Sequence, residues 1–216
     1  GFDSFTEEHD GILAYVQKEI FHEPAMRDLA IFANQKVEIS YTYGELPNIN
    51  WNAEWEKNFD PIRVAEQVLI RAEFHSPDPE MHEIIIQPKM SFGTGHHPTT
   101  HLMIQQMLEM DFEDKTVLDM GAGTSVLAIY AKQKNADRVV AIDIDEWSVE
   151  NSRENAARNI VELDISQGTA ENLGDENFDI ILANINRNIL MSDIPTYVSV
   201  LNPGGQLLLS GLCFFD

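Results

Sequence analysis

Downstream of Thr116 the hydrophobic pattern becomes regular: short continuous apolar runs alternate with segments whose apolar residues recur every three or four positions. The runs Thr116 to Asp119, Arg138 to Asp143, Glu162 to Ser166 and Phe178 to Ala183 predict strands, and Val126 to Lys134, Glu146 to Arg158 and Arg187 to Leu201 predict helices. A fifth strand, Gln206 to Ser210, is expected after the Asn202-Pro203-Gly204-Gly205 turn. Strands and helices that alternate at this spacing predict an α/β fold, a doubly wound, mostly parallel sheet of Rossmann-like type.

The first 45 residues follow another pattern. Two short mixed runs, Phe2 to Glu8 and Ile12 to Lys18, flank Asp10-Gly11, a dipeptide that favours a two-residue hairpin turn. Pro24 at a helix start, followed by Met26, Leu29, Ala30 and Ala33, predicts a helix, and the alternation of Val37, Ile39, Tyr41 and Tyr43 predicts a half-buried strand. The order β-β-α-β is a ferredoxin-like unit without its first strand and helix. A short aromatic-rich helical connector, Trp51 to Phe59, leads to two further strands, Gln67 to Phe74 and Glu83 to Gln87, with a proline-punctuated loop from His75 to Glu80 between them.

Composition narrows the functional classes. The chain has 216 residues, enough for one medium α/β domain and a smaller unit. No apolar run has the length of a membrane span, no signal segment opens the chain, and the single Cys213 cannot form an internal disulfide; a cytoplasmic protein without membrane contact is expected. With 36 acidic against 14 basic residues the formal net charge is -22. Such a surface repels phosphate backbones, so direct nucleic-acid binding is not expected, whereas a basic protein partner would be attracted.

The chemistry concentrates at the predicted strand ends. The first regular strand runs into Asp119-Met120-Gly121-Ala122-Gly123-Thr124-Ser125, which opens a helix, and glycines there let a ligand approach the backbone near free helix N–H groups. A dinucleotide fingerprint would need a third glycine where Val126 stands. The loop matches instead D-x-G-x-G, which resembles motif one of the class I methyltransferases, where a nucleoside without a pyrophosphate lies across the turn. Asp143 ends the next strand, where a carboxylate can accept both ribose hydroxyls; its alternative role is to cap the following helix, for which Asp145 is better placed. Asn184, at the end of Phe178 to Ala183, offers an acceptor and donors at the same rim, and can align an amine for attack; its alternative role is that of a turn residue.

A third element lies upstream, Ser91-Phe92-Gly93-Thr94-Gly95-His96-His97-Pro98-Thr99-Thr100, before a helix through Leu102, Met103, Met107 and Leu108. His96, His97 and His101 have no carboxylate or thiol at a metal-ligand spacing, so no metal is expected. Thr99 and Thr100 can cap that helix or present hydroxyls to a ligand.

Phe92 to Thr100, taken with D-M-G-A-G, A-I-D-I-D and L-A-N-I-N, resembles the bacterial ribosomal protein methyltransferase A family, from the Trp51 to Pro61 connector to Leu212. The resemblance implies a partial ferredoxin-like substrate-recognition domain over 1–45, a helical linker over 46–61, and an S-adenosylmethionine-dependent class I methyltransferase domain over 62–216. It implies cofactor contacts at Thr100, Gly121, Gly123, Asp143 and Asn184, with Asn184 beside the reacting amine, and methylation of lysine and N-terminal amino groups of large-subunit ribosomal protein L11. Two departures stand out. Ser125 replaces the third loop glycine, and the fold normally continues past Phe214-Phe215-Asp216, so truncation at both ends is expected and would leave Leu207 to Leu209 as an apolar edge. Two other readings stay open: an amine N-methyltransferase for another protein or a small molecule, and a non-catalytic nucleoside-binding module.

Overall fold

The computed structural model describes residues 2–8, 11–27, 40–45, 60–87, 93 and 95–211, and the chain divides into two compact units, Gly1–Glu54 and Trp55–Asp216. In the first unit β1 (Ser4–Glu8) pairs antiparallel with β2 (Gly11–Tyr15). The hairpin is where the pattern placed it, but its register joins Glu8 to Gly11, so Gly11 is a strand residue rather than half of the turn; His9 and Asp10 lie outside the described residues. A short helix α1 (Glu23–Arg27) starts one residue before Pro24, whose missing N–H costs nothing in a first turn. Of the strand expected over Val37 to Tyr43, residues 37–39 lie outside the described residues and Ser40 to Tyr43 form no strand; the Trp51 to Phe59 connector also lies outside them.

The second unit contains two sheets. In the smaller, β3 (Ile62–Val64) runs antiparallel to β4 (Val68–Arg71), which runs parallel to β5 (His82–Ile85). Strand β3 was not anticipated, because three residues after Asp60-Pro61 carry no readable period. Arg71 and Glu83 join β4 to β5 through a 2.8 Å ion pair, and the guanidinium holds the Glu83 carboxyl below its usual range. Helix α2 (Pro98–Met107) follows and buries Met103, Ile104 and Met107.

The larger sheet is built from β6 (Thr116–Met120), helix α3 (Val126–Gln133), β7 (Arg138–Asp143), helix α4 (Glu146–Arg158), β8 (Asp164–Gln167), β9 (Phe178–Ala183), helix α5 (Arg187–Ser199) and β10 (Leu201–Leu209). Its order is β10-β9-β6-β7-β8, all parallel. Alternate residues of β6 and β7 serve opposite cores: Val117, Val139 and Ala141 pack on the α2 and α3 side, Leu118, Met120, Val140 and Ile142 on the α5 side with Leu190 and Tyr197. Covering both faces is why these strands read as unbroken apolar runs.

The Asn202 to Gly205 turn sits inside β10. Pairing begins at Leu201 opposite Phe178, shifts, and resumes at Gln206 opposite Ile180. Asp179 anchors this irregularity, accepting from the Thr116 N–H and hydroxyl and from the Asn202 amide, contacts that hold its carboxyl below the usual range. The strand order reverses between β6 and β9, and parallel sheets bind ligands beyond the carboxyl ends of their strands at such a point.

Candidate active site

The glycine loop after β6 is held by the end of β7. Gly121 N–H and Ala122 N–H both donate to Ile142 O, at 2.8 and 3.1 Å, and Ser125 N–H donates back to Ala122 O. Gly123 N–H donates to Asp143 Oδ2 at 2.8 Å, while Asp145 N–H reaches Asp143 Oδ1 at 3.0 Å. These loop amides are therefore engaged within the protein rather than aimed at a ligand. An anion such as a pyrophosphate would find them taken, which suits a ligand bound through hydroxyls. Asp143 remains half-exposed with one backbone donor on each oxygen, so each oxygen keeps a lone pair for a diol. Asp145 does occupy the position before α4, but its carboxylate makes no capping hydrogen bond.

Asp119 plays a different part. It is 1% exposed, and its Oδ2 accepts from Ala128 N–H at 3.1 Å in the first turn of α3. Burial pushes its carboxyl up to about 7, opposed by the Ala128 hydrogen bond and assisted by the charge of Asp143. Ser125 is the residue before α3 and adopts φ +61°, the left-handed conformation that the absent glycine would take. Its hydroxyl donates to Ser152 at 2.7 Å, and Ser152 donates to Gly123 O at 2.9 Å, which ties the loop to α4.

Gly121 has φ +70°, and a Cβ built there would lie 2.1 Å from the Ile185 side chain. The glycine is required for packing between the β6 and β9 loops, a reason that spacing alone did not reveal. Ile185 follows Asn184, so this contact brings Asn184 beside the glycine loop.

From the other side comes the glycine-rich segment before α2, of which Gly93 and residues 95–97 are described; Ser91, Phe92 and Thr94 are not. Gly93 O accepts from the Thr124 hydroxyl at 2.6 Å, which joins this segment to the glycine loop. The helix cap is His97, whose Nδ1 accepts from Thr99 N–H, so neither threonine caps the helix. Among the described residues no cluster of three or more His, Cys, Asp or Glu side chains could hold a metal.

Thr100 is fully buried, and its hydroxyl accepts from Asn184 Nδ2 at 3.0 Å. Asn184 Oδ1 accepts in turn from the Ser210 hydroxyl at the end of β10. Thus Thr100 and Asn184 meet directly, Gly123 and Asp143 meet directly, and Gly121 is linked to the Asn184 loop through Ile185. Pattern reading missed Ile185 and Ser210, which carry no motif of their own. It quoted Asp119 in the motif but assigned it no role.

A protein-family model described as Ribosomal protein L11 methyltransferase (PrmA) matches residues 3–214. The protein of that name from Bacteroides fragilis is 45% identical over 221 residues, an alignment covering 100% of this chain and 79% of the relative. That from Porphyromonas gingivalis is 48% identical over 218 residues, covering 98% and 74%. A crystal structure of ribosomal protein L11 methylase from Lactobacillus delbrueckii subsp. bulgaricus is 34% identical with a TM-score of 0.63, over 71% of this chain and 80% of that one. The larger sheet is the Rossmann-like class I methyltransferase fold, and the chain belongs to the ribosomal protein L11 methyltransferase (PrmA) family.

Proposed function

We propose that this chain moves methyl groups from S-adenosylmethionine to amino groups of ribosomal protein L11, on lysine side chains and at the N-terminus. The observation that carries this reading is the Thr100 to Asn184 hydrogen bond. It fastens the first turn of α2, which follows the glycine-rich segment, to the end of β9, on the same rim as Gly121 and Asp143. The nucleoside site proposed at Asp143 and the amide proposed to receive the amine would thereby lie side by side.

The fit to the cofactor rests on Asp143, half-exposed with a lone pair left on each oxygen, and on an adjacent loop whose amides are already engaged. Asp143 would hold the ribose hydroxyls, Gly121 and Gly123 would let the nucleoside lie close to the backbone, and the fully buried Thr100 would act through its hydrogen bond to Asn184. S-Adenosylmethionine supplies a methyl group already activated by its positively charged sulfur. What remains for the protein is placement, and positioning can lower a barrier by several kcal/mol. Asn184 Oδ1 keeps one lone pair beyond its bond to Ser210, and that lone pair would accept an N–H of the neutral amine. Lysine ionises near 10, so the amine must release a proton before it attacks. The net charge of -22 favours a basic partner, as a ribosomal protein would be.

Radiolabelled S-adenosylmethionine supplied with purified large-subunit ribosomal proteins tests the reading. Label on L11 is expected. Label on another protein would move the substrate assignment, and no label on any amine with an enzyme that binds the cofactor would overturn it.

A further inference from the structure

We propose that Ser210 is a positioning residue for Asn184, holding the plane of its amide from the side opposite Thr100; this rests on the reading of Asn184 as the group that receives the amine. An asparagine side chain turns easily about its last torsion, because that sp³–sp² rotation has only shallow wells. A hydrogen bond at one end of the amide leaves a swing about that contact, and bonds at both ends remove it. Asn184 has both, Nδ2 donating to the Thr100 hydroxyl and Oδ1 accepting from the Ser210 hydroxyl. Reversing the polarity, with Thr100 as donor, would turn the amide over while leaving its plane held in the same way.

The backbone around Ser210 is built for that contact. Leu209 pairs in register with Ala183, and Ser210 N–H donates to Ala183 O at 3.1 Å, so the β9 to β10 ladder carries Ser210 beside Asn184. Gly211 then has φ +85°, and a Cβ there would come within 2.5 Å of Ile185 O. Only glycine lets the chain pass this close to the Asn184 loop, and its closeness is what brings the preceding hydroxyl onto the amide. Ser210 is half-buried and sits on the rim, so its hydroxyl is not needed to satisfy a core group.

An error of about 1 Å in the placement of a reacting group can reduce turnover by roughly 100-fold. In the intact enzyme, Ser210→Ala should therefore lower kcat for L11 methylation by about 10-fold or more, with KM, cofactor affinity and melting temperature nearly unchanged. Ser210→Thr, which keeps the hydroxyl, should restore most of the rate. Adding Ser210→Ala to Asn184→Ala should cost nothing further. A second readout needs no substrate or cofactor: the Asn184 side-chain amide resonance, assigned by its disappearance in Asn184→Ala, should shift and broaden in Ser210→Ala. An unchanged kcat and resonance in Ser210→Ala, or a loss that Ser210→Thr does not restore, would overturn the inference. Full turnover by Asn184→Ala would overturn the underlying reading of Asn184, whatever Ser210 does.

Discussion

The two sheets of the second unit use polar side chains in opposite ways. In the five-stranded sheet the strands hold one another by backbone ladders, and polar side chains gather beyond their carboxyl ends, where Asp143 and Asn184 keep hydrogen-bonding capacity in reserve. In the three-stranded sheet the outer strand β5 has no further strand beside it among the described residues. Side-chain amides of α4 and of Asn159 just after it take that place, one turn apart. Asn159 bonds Ile85 N–H and Ile85 O at 2.8 and 2.6 Å, Asn155 accepts from Gln87 N–H at 2.9 Å, and Asn151 donates to Gln87 O at 3.4 Å. Asn155 also donates to Thr124 O at 3.0 Å, so one side chain joins the sheet edge to the cofactor loop. The lesson is that these amides serve the fold by bonding backbone groups, Asn159 with both acceptor and both donor sites engaged, whereas half-buried Asn184 bonds two hydroxyls at the rim and keeps a donor and an acceptor site for chemistry.

The widest break in this comparison is expected at Asp143. Asp143→Ala removes an acceptor for two hydroxyls, and hydrogen bonds to a charged group are each worth about 1.5 to 3 kcal/mol, so cofactor affinity measured by calorimetry should fall about 100-fold or more. Unchanged affinity would remove the ribose role. Asn155→Ala probes the opposite case: it strands Gln87 N–H and Thr124 O, and urea unfolding should show a loss of about 2 to 3 kcal/mol at constant m-value. A stability within experimental error of the parent would mean that α4 does not hold the small sheet.

A gentler effect is expected from pH at Asp119. Its native carboxyl keeps a proton up to about 7, whereas the unfolded one releases it near 3.8, so between these values the native state binds more protons. Stability then declines as pH rises from roughly 4 to 7, and no further above that. Asp119→Asn should abolish this slope while keeping an acceptor for Ala128 N–H, and a slope that survives in the variant would place its origin elsewhere. The smallest change belongs to Ser125→Gly. Relief of the left-handed conformation, about 1 kcal/mol, is offset by loss of the bond to Ser152, about 1 kcal/mol, so the unfolding midpoint should barely move. A large shift in either direction would show that one term dominates.

Much of the large sheet was legible because its strands and helices bury continuous or periodic apolar faces. Arg138–Asp143, Glu146–Arg158 and Phe178–Ala183 begin and end where the pattern put them. Elements without such faces were harder to read. Strand β3 is three residues long, and β10 takes the Asn202 to Gly205 turn into itself because Asp179 ties that turn to Thr116. Within the site, Gly121, Gly123, Asp143, Thr100 and Asn184 were named from motifs, and the structure brings Thr100 onto Asn184 and Gly123 onto Asp143. Of the two roles offered for Thr99 and Thr100, capping falls to His97, and the loop amides of Gly121 and Ala122 are spent on the carbonyl of Ile142.

By itself the sequence determined the order of elements, the class of the sheet and the strand ends at which chemistry would sit, because burial of apolar residues imposes a period that can be read locally. Tertiary structure alone decided which of those ends meet. Ser210 reaches Asn184 across 26 positions of sequence and Thr100 across 84, and Ile185 fills the space that Gly121 leaves open. Contacts between distant loops depend on strand order and register, and neither leaves a local trace in the order of residues.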